Sequence, residues 1–162
     1  MPDTPQEKAL GLTTAVVGKT FQTRHLTPPG IATGAAYADL DALGLNFSFG
    51  VPKSGVIQSS IYYDFDDEGL QVDLWLLDDK PTVQTDNSAL AFIDNDLVKV
   101  IGRLQFIAFG DAANGQFSNL TSLGLAYVQP NGLLWAQCQA RGALNIAAGN
   151  LPMFRLTILS DE

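Results

Sequence analysis

One cysteine, Cys138, and one histidine, His25, are all this sequence offers of the two residue types that most often build metal centres and nucleophilic pairs. A lone cysteine excludes an intrachain disulfide and a cysteine-rich zinc site. A lone histidine excludes a multi-histidine centre, and its place beside Arg24 and before Thr27-Pro28-Pro29 predicts an exposed loop. No Gly-x-Ser-x-Gly elbow supplies a serine nucleophile, and the apolar stretch around Cys138 predicts a small buried side chain. Long apolar runs are missing too: no window approaches 18 uninterrupted apolar residues, and Met1 to Lys8 is polar and acidic. The expectation is a soluble chain with no secretion signal and no membrane partner.

Positive charge is scarce. Nine Lys and Arg against 17 Asp and Glu give a formal net charge of −8. With no Lys/Arg cluster, a phosphate backbone would be repelled, so nucleic acid is not an expected partner. Ten acidic residues fall between Asp64 and Asp96, against Lys80 alone. This block either offers a negative surface to a basic partner or forms solvated loops and strand edges.

Two partial motifs fall short of chemistry. Gly18-Lys19-Thr20 has the end of a phosphate loop, but Thr13 stands where the earlier glycine is required and no long helix follows. Asp64-Phe65-Asp66-Asp67-Glu68-Gly69 resembles the start of a calcium loop, but the twelfth position is Trp75 and flanking helices are lacking. A casual calcium site at that turn, joined by Asp94 or Asp96, stays open beside a hydrated turn. A carboxylate pair is defined in space, so acid/base chemistry also stays open. No cofactor, metal or catalytic residue is expected, and the chain is read as non-enzymatic.

What is present is strand pattern. Hydrophobic residues make up 46% of 162, against 16% charged, enough for one core without metal or disulfide. Residues 1–11 read as a flexible N-terminal arm that frays or lies on a neighbour, and 12–162 as a single β-sandwich domain. Thr14 to Val17 predicts a short strand. In Gly30 to Ala42 small residues leave an irregular strand and a short helix equally open. Leu45, Phe47, Phe49 and Val51 alternate with polar or small residues, the period of a strand with one buried face. Val56 to Tyr63 is a β-branched and aromatic run, and Leu70 to Leu76 should return beside it as a hairpin through the acidic turn.

Further on, Thr85-Asp86-Asn87-Ser88 predicts a capped helical turn over Ala89, Leu90 and Phe92. Leu97 to Ile107 predicts a strand, Gly110 to Ser118 a long loop, and Asn131-Gly132 a hairpin signal between Leu123 to Val128 and Leu133 to Ala140. A short strand and turn in Arg141 to Pro152 and a last strand, Met153 to Leu159, complete an all-β chain. About eight strands and at most one short helix predict two packed antiparallel sheets or a closed barrel.

Trp75 and Trp135 sit opposite the main apolar set of their strands, so they mark either intersubunit contacts or a second core layer; Tyr62 is a further strand aromatic. VIQSSIYYDFDDEG, LQVDLWLLDDKP, TDNSALAFIDND and LVKVIGRLQF together resemble the jelly-roll cement, or head-decoration, proteins of tailed bacteriophages, as does the stretch from LLWAQCQARGALNI to FRLTIL. The resemblance implies an antiparallel jelly-roll β-sandwich on the outer surface of the virion. It also implies a homotrimer that binds the major capsid protein and clamps adjacent subunits. On that reading Trp75, Trp135 and Tyr62, the acidic-turn residues Asp66 and Asp67, and the arm residues Pro2 and Glu7 are the candidate interface. Two alternatives remain: a carbohydrate-binding β-sandwich module or small sugar-active enzyme, and another virion module such as a tail or fibre domain.

Overall fold

The computed structural model describes residues 18–160. Twelve strands and one helical turn follow in chain order: β1 (Lys19–Gln22), β2 (Ala36–Tyr37), β3 (Ala42–Gly50), β4 (Ser54–Asp64), β5 (Val72–Leu77), α1 (Asp94–Leu97), β6 (Val100–Phe106), β7 (Gly110–Asp111), β8 (Gln116–Leu120), β9 (Leu125–Val128), β10 (Leu133–Ala140), β11 (Leu144–Asn145) and β12 (Met153–Ser160). All pairings are antiparallel. One sheet has the order β1-β12-β4-β8-β7, with β9 also on β4; the second has the order β3-β10-β5-β6; β2 and β11 form a two-stranded sheet. The chain is a β-sandwich, with more and shorter strands than the eight expected.

Alternation explains which faces meet. Ile57, Ser60, Tyr62 and Asp64 of β4 and Phe154, Leu156 and Ile158 of β12 are buried on one sheet. Phe47 and Phe49, Val72, Leu74 and Leu76, Leu104 and Phe106, and Leu134, Ala136, Cys138 and Ala140 are buried on the other. Phe154 bridges the layers, its ring 5.0 Å from that of Tyr62, 5.7 Å from Phe106 and 6.4 Å from Phe47. Such ring contacts add to the area term, so this aromatic cluster is the mechanical centre of the sandwich.

Two expected hairpins are instead crossings between sheets. β4 pairs with β12, β8 and β9, whereas β5 pairs with β10 and β6. Their apolar sides face each other across the core instead of lying edge to edge. The acidic turn makes this step because both oxygens of buried Asp64 accept backbone N–H groups, from Asp66 and from Leu70, each at 3.0 Å. Asp67 and Gly69 adopt left-handed backbone within it. The Asn131-Gly132 turn likewise carries the chain from β9 to β10, in different sheets. Its local chemistry is met in part: Gly132 is at φ +70° and its N–H donates to the Gln129 carbonyl, but Asn131 is not left-handed; turn chemistry fixes a reversal but not the sheet that receives the next strand.

The helical turn expected over 85–92 is absent, and α1 lies just beyond it. Asp86 does not cap a helix: its carboxylate accepts from the Tyr37 hydroxyl and from the N–H groups of Ala32 and Gly44. Ser88 and Asn87 bond the backbone of Ala42. Tertiary bonds therefore hold this segment as an irregular turn, with Asn87 in left-handed backbone. The Gly110 to Ser118 loop contains the small β7–β8 pair, the Leu97 to Ile107 strand shortens to β6, and of Gly30 to Ala42 only Ala36–Tyr37 and Ala42, where β3 begins, are strand. The Thr14 to Val17 strand and the arm lie outside the described residues.

Candidate interaction surface

The two sheets differ in what covers their outer faces. On the four-stranded sheet Asp73, Leu77 and Gln137 point away from the core yet are buried; Arg141 and Arg103 flank Asp73, and residues 78–99 run along this side of the sheet as a strap. Asn46 Nδ2 donates to the Pro81 carbonyl at 3.1 Å and the Lys99 ammonium to the Lys80 carbonyl at 2.8 Å. Asp96, at the end of α1, accepts the Thr82 N–H at 3.1 Å on both oxygens and pairs with Lys99 at 3.2 Å. Burial opposes ionisation of Asp96, but the Thr82 bonds and Lys99 prevail and hold its carboxyl below the usual carboxylate range. Asp73 is the reverse case. Burial pushes its pKa up although Arg141 at 3.3 Å and Arg103 at 3.7 Å pull it down.

The outer face of the six-stranded sheet has no such cover among the described residues. Strand register lays its outward side chains in rows: Met153, Tyr63 and Phe117; Arg155, Ile61 and Asn119; Gln22, Thr157 and Ser59; Thr20, Leu159, Val56 and Ala126. Arg155 is the one charged side chain among them. Phe117 and Leu159 are 42% and 40% exposed, and Phe65, 41% exposed, extends the first row by stacking on Tyr63 at 6.3 Å. His25 meets the same tyrosine edge-on at 5.3 Å. An open sheet face that mixes aromatic and aliphatic groups with uncharged polar ones such as Asn119, Thr157 and Ser59, and carries one charge, is compatible with a protein interface.

The candidate interface residues separate on this structure. Tyr62 is fully buried, so its side chain is a core group and not a contact; alternation along β4 turns Tyr63 outward instead. Trp75 and Trp135 are half-buried in the layer beneath the strap. The Trp75 indole N–H donates to Gln139, Arg103 lies 5.2 Å over its ring, and Phe92 meets it edge-on at 5.6 Å. Lys80 lies 5.4 Å over the Trp135 ring. Both tryptophans thus belong to a second packed layer. Asp66 accepts from the Ala147 N–H and the Asn150 amide, each at 2.8 Å, while Asp67 is exposed. Pro2 and Glu7 lie outside the described residues.

The partial motifs resolve into structure. Lys19 and Thr20 are exposed on the edge strand β1. Asp64 accepts from the N–H groups of Asp66 and Leu70, Asp66 accepts from Ala147 and Asn150, and Asp96 is committed to Thr82 and Lys99. Among the described residues no three His, Cys, Asp or Glu side chains converge to hold a metal ion. Cys138 is fully buried and burial pushes its thiol far above its usual range. Tyr63, Phe117, Phe65 and Arg155 were missed as a set, because only pairing places residues from three strands and a turn on one face. The available signal was the alternation Ser59, Ile61, Tyr63 in β4. No family model, no curated protein and no solved structure matches the chain.

Proposed function

We propose that the chain is a non-enzymatic structural protein of jelly-roll type that binds the outer surface of a tailed-phage capsid. It acts there as a homotrimer and strengthens contacts between major capsid subunits. The observation that carries this reading is the open face of the six-stranded sheet, where Tyr63, Phe117 and Leu159, with Phe65 at its end, stand partly exposed and Arg155 is the one charge in the rows. The resemblance of the 56–103 segments to cement proteins gives the reading its particular workplace. A cement needs many modest contacts repeated by symmetry, and a flat weakly charged face supplies them. Sugar binding would require bare ring faces, and Arg103 and Lys80 already lie over those of Trp75 and Trp135.

The test adds the purified chain to heads stripped of surface proteins, made from the genome that encodes it, and measures occupancy by sedimentation. Saturable binding to heads, with added resistance to heat or chelation, is expected. Binding to tails or fibres alone would support the other virion reading and overturn this one.

A further inference from the structure

Few charges stand on the open face of this molecule. Asp73, Asp78, Asp79, Asp94 and Asp96 lie with the four-stranded sheet and its strap, together with Lys80, Lys99, Arg103 and Arg141, whereas the outward rows of the six-stranded sheet carry Arg155 alone. Two copies of a chain with net charge −8 therefore meet least repulsion through that face. Arg155 is itself incompletely satisfied. Its Nε is buried with no hydrogen-bond partner, and its side chain makes no ion pair with another described residue. Leaving a buried guanidinium donor without an acceptor is costly, and arginine among aromatics is the usual centre of an interface.

The complementary group lies at the end of the same face. β4 runs through Tyr63 into the turn that exposes Phe65, Asp67 and Glu68. Asp66 is tied to Ala147 and Asn150, but neither Asp67 nor Glu68 forms an ion pair with a described residue. We infer that this face is a contact between copies of the chain, in which the Asp67–Glu68 turn of one copy reaches Arg155 of the next beside the Met153, Tyr63 and Phe117 row. The two halves of the contact occupy different positions on the face, so it can repeat head to tail and close as a ring. The inference rests on the proposed self-association and names the surface that performs it.

The experiment measures the mass of the full chain by sedimentation over a range of concentrations, for the native protein, Arg155→Glu, the pair Asp67→Arg with Glu68→Arg, and all three together. Each charge reversal alone should weaken association about tenfold or more, and the triple variant should recover most of it. Arg155→Gln serves in place of Arg155→Glu if the reversal disturbs the unfolding midpoint. Association unchanged by every variant would overturn the assigned face while leaving an assembling protein. A native chain that stays monomeric throughout would overturn the inference, and loading of such monomers onto heads would show that the capsid reading survives it.

Discussion

Replacing Asp64 with alanine should destabilise the sandwich far more than its place in an acidic loop implies. Asp64 is buried, and its two oxygens accept the N–H groups of Asp66 and Leu70 at 3.0 Å. Hydrogen bonds to an ionised group are worth about 1.5–3 kcal/mol each. Losing both, with partial rearrangement of the turn, should cost about 3–4 kcal/mol. For a chain of this size that corresponds to a fall in Tm of roughly 6–16 °C. Asp64→Asn keeps one good acceptor and should lose about half as much. Urea unfolding followed by tryptophan fluorescence measures both variants against native protein. A loss below about 0.5 kcal/mol for Asp64→Ala, or equal losses for the two variants, would refute the view that this carboxylate holds the crossing between sheets.

Two further outcomes follow from buried groups. The carboxyl of Asp96 is held below its ordinary range, so its contribution to stability is present above the unfolded value of about 3.9 and is lost as pH falls through the folded value. Below about pH 4 the strap should loosen, read as a change in tryptophan fluorescence that Asp96→Asn shows already at neutral pH; a native signal flat through acid would contradict this. The Cys138 thiol, fully buried and driven up by that burial, should react with a thiol reagent only as fast as the protein unfolds, and rapid labelling of folded protein would mean that the core opens locally.

The fold class was legible because period-two alternation survives without tertiary knowledge: Met153 to Leu159 became β12, and the Leu45 to Val51 pattern falls on β3 with Phe47, Phe49 and Val51 buried as the alternation implied. The pairing was not. Asp64 to Gly69 and Asn131-Gly132 have genuine turn chemistry, yet each turn delivers the chain to the opposite sheet, because partner choice depends on strands distant in sequence. Local propensity failed at Asp86 for a related reason, since Tyr37, Ala32 and Gly44 claim the carboxylate that would have capped a helix. The site shows the same division. Asp67 was legible as an exposed turn residue, while Tyr62 and Tyr63 exchange roles on a one-residue difference in phase, and Arg155 gains meaning only when β4, β8 and β12 are laid side by side.

Electron cryomicroscopy of heads carrying the bound chain would locate both the protein and its contact face. Density is expected on the outer surface of the shell, with the Tyr63, Phe117 and Arg155 face buried in protein contacts and residues 78–99 outside them. Density in which that face looks into solvent while the strap forms the contacts, or no density on the shell at all, would contradict this expectation.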